Sequence, residues 1–255
     1  MPGTAPRADI WVVVEHQDGW GSAPLTRTEH GVRVVMARPP RQHARPPHAW
    51  IARCTSGALR RGTLDAPDAI ADWDLRALAD GAFDQWGEPV AEPLLLICAN
   101  GQRDRCCGHL GRRLAREVEA HDGTILTCTH LGGHRFAPTA LLLPWGSLHG
   151  RLDLKSALHV ITEARGGRAV ATSLRGYSTL TAPAQVAEAH ARSVTGFRGL
   201  APLDVRIDLR DAHARCEVVV PGRDTLTVLL HREDANVLTS CGKHPEPVAR
   251  WLVSA

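Results

Sequence analysis

Aromatic residues are scarce in this chain, at 4% of its 255 positions, and its charges nearly balance, leaving a formal net charge of +3. The arginines are dispersed, as in Arg60-Arg61 and Arg112-Arg113. Neither a basic stripe nor a row of stacking rings therefore points to nucleic acid. Long hydrophobic runs are missing as well. Pro93 to Cys98 and Ala140 to Trp145 are the longest, far short of the roughly 20 apolar residues a membrane-spanning helix needs. The opening Met1-Pro-Gly-Thr-Ala-Pro-Arg7 has no apolar stretch to serve as a secretory signal, so the cytoplasm is the expected location. A C-x-x-C pair is absent, and so is the C-x4-C-x2-C spacing of plant-type ferredoxins. The seven cysteines (54, 98, 106, 107, 128, 216 and 241) are odd in number and widely spread. In a reducing compartment such a set reads as ligands plus buried thiols rather than a disulfide frame.

What remains is an ordinary soluble composition, 44% hydrophobic and 22% charged, long enough for one large domain or two small ones. Strand candidates run from Ile10 to Glu15, Val32 to Ala37 and Ala49 to Cys54, the last preceded by a Pro/Arg/His-rich loop from Pro39 to His48. Residues 66–80 predict a helix with Ile70, Trp73, Leu75 and Leu78 along one face, and Gly87-Glu-Pro89 ends that section. Leu94 to Ile97 is the continuous apolar run of a buried strand. Leu110, Leu114 and Val118 then recur every four residues opposite Arg112, Arg113 and Glu117, which predicts an amphipathic helix. A strand at Thr124 to Thr129 follows. Next come a hairpin of Ala140–Leu143 with Leu148–Leu152 and a helix from Leu154 to Ala164, completing a βαβββα-like unit. A helix near Pro183 to Val194 and a strand pair, Ala214–Val220 with Thr225–His231, complete the pattern. The expected class is α/β in the broad, α+β sense. It comprises an N-terminal α/β segment over 1–90, a central domain over 91–200 and a β-rich extension over 201–255.

The chemistry concentrates in two short stretches, Cys98-Ala-Asn-Gly-Gln-Arg-Asp-Arg-Cys106-Cys107-Gly108 and Thr129-His130-Leu131-Gly132-Gly133-His134. Thiolates together with imidazoles select zinc, copper or iron–sulfur chemistry over magnesium or calcium. Cys98 ends the apolar strand, and Cys107 opens the following helix, where free N–H groups favour a thiolate. His130 and His134 follow the next strand. The two glycines between them argue for a kinked loop rather than a helix that would present both at i and i+4. Both halves of the site thus hang from the same edge of adjacent strands. Single histidines such as His16, His30, His159 and His190 read as structural, as do Cys54, Cys216 and Cys241. By counting alone either Cys106 or Cys107 could be the second thiol ligand. Three functions follow from this chemistry: a closed Cys2His2 zinc site, a thiol redox protein, or an electron carrier with a mixed-ligand [2Fe–2S] cluster. A vicinal Cys106–Cys107 disulfide would be strained.

The chain resembles the sucrase/ferredoxin-like family of thioredoxin-like [2Fe–2S] ferredoxins with bis-histidinyl ligation. The resemblance rests on C-x8-C enclosing Gly101, Arg103 and Asp104, and on Thr129-His130-x-Gly132-Gly133-His134-Arg135-Phe136. Flanking stretches match too: Gly3-Thr-Ala-Pro6, Trp11 to Glu15, Gly19-Trp20-Gly21, Leu143-Pro144, Gly150-Arg151, Arg175-Gly176 and Gln185 to Glu188. It implies a thioredoxin-like ferredoxin core over 91–200 and a [2Fe–2S] cluster held by Cys98, Cys107, His130 and His134. Cys106 becomes a neighbour of the ligands. The chain starts almost at the Gly-Thr-Ala-Pro segment, a shorter N-terminus than in relatives, which bears on partner docking. The implied protein is a one-electron carrier with a pH-dependent potential and not an enzyme, and no carboxylate pair argues for sugar hydrolysis. Its partner would be a redox protein, a reductase or an electron acceptor, with no nucleic acid or membrane involved, and the chain could pair as a homodimer. Arg103 and Asp104 are expected to brace the ligand loop, Arg135 to stabilise the reduced cluster or face an acidic partner, and Trp145 to be core.

Overall fold

The computed structural model describes all residues except 17–19, 21–25, 39–45, 83–84, 103, 123, 240–243 and 255. Gly19, Gly21, Arg103, Cys241 and most of the loop from Pro39 lie outside the described residues. The protein is α+β, with a large mixed sheet. Strands β1 (Ile10–Glu15), β2 (Thr28–Glu29), β3 (Val32–Arg38), β4 (His48–Arg53), β5 (Ala58–Thr63) and β6 (Glu88–Pro89) come from the first ninety residues. Then follow β7 (Leu94–Cys98), helix α2 (Arg112–Glu119), β8 (Leu126–Cys128), β9 (Thr139–Leu143), β10 (Ser147–Gly150), helix α3 (Leu154–Arg165) and β11 (Leu174–Tyr177). Helix α1 (Leu75–Asp80) lies between β5 and β6.

All eleven strands form one sheet in the order β11-β10-β9-β7-β8-β3-β1-β4-β5-β6, with β2 alongside β3. Among the described residues, only β1–β3 and β7–β8 pair in parallel. The run β7–α2–β8–β9–β10–α3 is the βαβββα unit read from the sequence. Residues 1–90 extend the sheet formed by that unit, because β3 pairs with β8 through Ala37–Cys128 and Arg38–Thr127.

Alternation of side chains along each strand separates two surfaces. Leu95, Ile97, Ala140 and Leu142 turn toward α2 and α3, whereas Ile10, Val12, Val34 and Ile51 turn toward α1 and the short turn before it. The opposite face gathers Trp11, Val13, Val35, Trp50, Leu96, Cys98, Leu141, Leu143 and Leu148 into one buried cluster. Residues from both halves of the sheet meet there, so the sheet curls around that cluster. Trp11 Nε1 donates to Ser178 Oγ at 3.0 Å, tying β1 to the segment after β11.

The helix expected over 66–80 is two pieces. A 3-10 turn covers Pro67–Asp72, the chain extends at Trp73, and Asp74 then caps α1 by accepting from the N–H groups of Arg76 and Ala77. A good N-cap inside an apolar repeat stops the first turn and starts a second helix. The strand expected over 124–129 is shorter, covering only Leu126–Cys128.

Helix α4 (Ala182–Thr195) leads into a separate antiparallel sheet of β12 (Asp204–Arg210), β13 (His213–Val219), β14 (Leu226–Val237) and β15 (Glu246–Val253). Val186, Ala187 and Ala191 of α4 pack on Ala214, Cys216, Val218, Val228 and Leu230 of that sheet. Buried Arg192 donates to Glu188 and to the carbonyls of Gly199 and Ala201, anchoring the connection. No helix among the described residues is long and apolar enough to cross a membrane.

Buried His149 on β10 sits 3.2 Å from Ser147 Oγ through Nε2 and 2.9 Å from Ser173 Oγ through Nδ1. Burial, aided by the positive charge of Arg175, pushes its pKa down from 6.5 to about 3. The folded chain keeps this imidazole neutral, while the unfolded chain takes up a proton below its ordinary value. Its share of stability is therefore complete above pH 6.5 and shrinks as pH falls toward 3, by about 1.4 kcal/mol per unit. Urea unfolding across that window should show this slope, and His149→Gln should flatten it; an unchanged slope in the variant would exclude His149 as the source.

Candidate metal centre

Inward alternation along β7 places the Cys98 thiol inside the curled sheet, at the strand's C-terminal end. The loop beyond it is held by side-chain turns: Asn100 Oδ1 accepts from Gln102 N at 3.1 Å, and Asp104 Oδ1 from Cys106 N at 2.9 Å. Cys107 opens a single π-helical turn, Cys107–Gly111, that runs into α2. The extra residue per turn shifts the buried face. Cys107, Gly111, Leu114 and Val118 point inward and Leu110 is 39% exposed, correcting the expected Leu110–Leu114–Val118 stripe. Gly111 lies against the end of β7, where an added Cβ would come within 1.9 Å of the Cys98 carbonyl oxygen. Only glycine lets the helix approach that closely.

Parallel pairing sets Cys128 of β8 opposite Cys98 of β7, so the segment after β8 emerges beside the thiol loop. Thr129 exchanges hydrogen bonds with Met36 of β3, accepting through Oγ1 at 3.1 Å and donating its N–H at 2.8 Å. Gly132 and Gly133 then take left-handed conformations at φ 81° and 75°, and His134 begins a 3-10 turn, His134–Phe136. This is the kinked loop expected from the two glycines.

The four expected ligands come together as two pairs. Cys98 and Cys107 hydrogen-bond to each other, and Cys98 also contacts His130. Cys107 Sγ lies 3.7 Å from His134 Nδ1, and the imidazoles of His130 and His134 stack with centroids 4.3 Å apart and planes 25° from parallel. Buried Asp104 places Oδ2 3.6 Å from His134 Nδ1. Among the described residues, no group of three or more His, Cys, Asp or Glu is arranged to hold a single ion. The donor set nevertheless suits a two-iron group, with thiols on one side and imidazoles on the other. The buried His130 Nδ1, which has no hydrogen-bond partner among the described residues, fits the same group.

The Cys98 thiol is held well below its ordinary pKa by hydrogen bonds from Cys107, His130 and the N–H groups of Leu131 and Asn100, against the cost of burial. Cys107 is pushed far up by its bond to Cys98 and by burial. The two thiols thus share a hydrogen bond that favours a single negative charge on the pair. Cys54, Cys128 and Cys216 are buried free thiols. Cys106 is disulfide-bonded, which departs from the expected all-thiol set and separates it from the Cys98–Cys107 pair.

Arg175 on β11 braces the histidine loop. Its fully buried guanidinium donates to the Gly132 carbonyl at 3.0 Å and to both Oγ1 and the carbonyl of Thr4, 171 positions away. A Cβ on Gly133 would meet it at 2.2 Å. Arg33 likewise donates to the His130 carbonyl at 3.1 Å. Burial, then Arg135, pull the Arg175 pKa down to about 10, while the thiols of Cys98 and Cys107 oppose this. Arg175 has no carboxylate partner among the described residues. It is a buried cation that negative charge on Cys98 or Cys107 would favour. Sequence reading marked Arg175-Gly176 and Gly3-Thr-Ala-Pro6 only as flanking stretches; their contact with the site was invisible in it.

Arg175→Met would leave the Thr4 and Gly132 carbonyls without their donor, at about 1–3 kcal/mol each. The variant is expected to unfold at clearly lower urea, and Arg175→Lys to recover only part of the loss. Wild-type stability in Arg175→Met would show that these bonds do not hold the loop.

The profile of the sucrase/ferredoxin-like family matches residues 1–176. The chain belongs to that family. No curated protein and no solved structure matches it. The matched span contains the whole eleven-stranded sheet up to Gly176 in β11, together with all four candidate ligands. Helix α4, with the Gln185–Glu188 stretch, and the four-stranded sheet lie beyond it.

Proposed function

We propose that this member of the sucrase/ferredoxin-like family is a one-electron carrier, not an enzyme, working in the cytoplasm through a thioredoxin-like ferredoxin core. Cys98 and Cys107 would hold one iron of a [2Fe–2S] cluster, and His130 and His134 the other. The observation that carries the reading is the pairing itself, thiol against thiol and imidazole against imidazole, beside a buried guanidinium with no carboxylate partner among the described residues.

When bound, such a cluster takes up and returns one electron, at potentials of roughly −150 to +300 mV when two imidazoles replace two thiolates. Arg175 fixes the loop between the two histidines and places a positive charge where negative charge accumulates on reduction. The second nitrogen of each ligating histidine holds or releases a proton, which makes the potential depend on pH. Asp104 faces His134 and orients it.

A dithiol redox role would also draw on the lowered Cys98. That thiol is 0% exposed, however, and a partner disulfide would have no access to it.

The test is metal and sulfide analysis of anaerobically purified protein from its native host, with absorption and EPR after reduction. Iron and labile sulfide in equal amounts, with an EPR signal on one-electron reduction, are expected. Stoichiometric zinc without labile sulfide would overturn the carrier reading in favour of a structural zinc site.

A further inference from the structure

The surface of the site is its histidine side. Cys98 and Cys107 are buried, whereas the His134 side chain keeps 14% of its surface. Two residues on, the Phe136 ring is surrounded by cations. The guanidinium carbons of Arg135, Arg151 and Arg175 lie 4.8, 5.7 and 5.5 Å from its centroid. Arg175 is buried and committed to Thr4 and Gly132, but Arg135 and Arg151 are exposed. The two segments are joined by Arg151 N donating to the Phe136 carbonyl at 2.6 Å, with Arg151 in a left-handed conformation at φ 56°.

Several other exposed arginines pair with carboxylates, as Arg113 does with Glu117, Arg168 and Arg198 with Glu163, Arg210 with Asp208 and Arg250 with Glu233. Others, such as Arg206 and Arg223, stand alone among the described residues. Arg135 and Arg151 differ in sharing one ring with a third, buried cation. Among the described residues, none of the three cations around Phe136 has a carboxylate partner. Like charges held this close repel one another, and an incoming anion relieves that repulsion. Guanidinium groups bind carboxylates through two parallel hydrogen bonds, so acidic side chains fit this surface well.

We propose that Arg135 and Arg151, splayed over Phe136 beside His134, form the docking surface for an acidic redox protein. Its Asp and Glu side chains bind the two guanidinium groups and bring its own redox centre against the histidine side. The role in electron transfer rests on the carrier reading; the acid-binding surface does not. Charge pairing of this kind steers encounter and is weakened by salt.

Hexaglutamate peptide, titrated against the full-length protein by calorimetry and amide chemical shifts, tests the surface whether or not a cluster is bound. Binding is expected at low salt, with shifts centred on 133–136 and 150–152. It should weaken roughly tenfold in the Arg135→Gln/Arg151→Gln double variant. It should also weaken at about 0.15 M salt, where the Debye length is about 8 Å. Arg215→Gln, on the C-terminal sheet, should bind like wild type. Absence of binding, undiminished binding in the double variant, or equally tight binding of inorganic phosphate would each overturn the proposal, the last in favour of a small-anion site. In protein shown to hold the cluster, oxidation by hexacyanoferrate(III) should slow with salt, and the double variant should lose that dependence. Retention of the salt dependence would place electron exit elsewhere. Protein lacking iron and sulfide would instead refute the carrier reading, and peptide binding would still decide the surface.

Discussion

His134→Cys is expected to lower the reduction potential by an amount on the order of 100–200 mV and to weaken its dependence on pH. Each thiolate that replaces an imidazole adds a negative charge beside the iron, and the reduced form bears that cost most. The gap between two-imidazole clusters and all-thiolate ones, at about −400 mV, is at least about 250 mV. One substitution should cover about half of it. It also removes one of the two ring nitrogens able to take up a proton, so the slope of potential against pH should fall as well. Position 134 suits the test because its side chain borders solvent and Cys107 Sγ already lies 3.7 Å from Nδ1, leaving room for a shorter ligand. Redox titration followed by EPR at several pH values is the measurement. His130→Cys should behave alike, and an unchanged potential and slope in both variants would remove both histidines from the ligand set.

Gly111→Ala is expected to be the most damaging single methyl addition near the site. Alanine gains about 0.8–1 kcal/mol over glycine in a helix interior. Against that, its Cβ would stand 1.9 Å from the Cys98 carbonyl oxygen, a backbone atom that cannot swing aside. Overpacking a core costs about 1–3 kcal/mol and more where nothing yields. The net effect should be a loss of about 3 kcal/mol by urea unfolding, with a proportionate loss of iron, because relief of the clash moves Cys98 itself. Gly132→Ala makes the contrasting case. Nothing lies within 4 Å of its Cβ, but its φ of 81° makes the substitution cost about 1–2 kcal/mol in backbone strain alone. A Gly111→Ala protein as stable as wild type would show that α2 and β7 are not packed this closely.

Much of the site was legible in the residues because its determinants are local. An apolar strand followed by a cysteine places that thiol at a strand end, as with Cys98. Two consecutive glycines between histidines force a turn, as at Gly132 and Gly133. Helix α2 was legible in existence but not in phase, because a helical repeat assumes 3.6 residues per turn and the π turn at Cys107–Gly111 breaks that count. The break between Pro67–Asp72 and α1 was missed for a related reason: Ile70, Leu75 and Leu78 are all buried, so the apolar pattern is real while the backbone beneath it is discontinuous.

By itself the sequence determined the α+β class, the βαβββα run and the glycine-kinked histidine loop, because each depends on alternation or spacing within a few turns of chain. Spacing left Cys106 and Cys107 as alternatives, and the family resemblance chose Cys107. Tertiary structure alone decided that β3 joins β8 to make one curled sheet and that the four residues stand as two pairs. It alone also decided that Arg175 reaches from β11 to Thr4 and Gly132, and that Arg135 and Arg151 flank Phe136. Those contacts join residues up to 171 positions apart, and no periodicity along the chain encodes a distance between segments that meet only after folding.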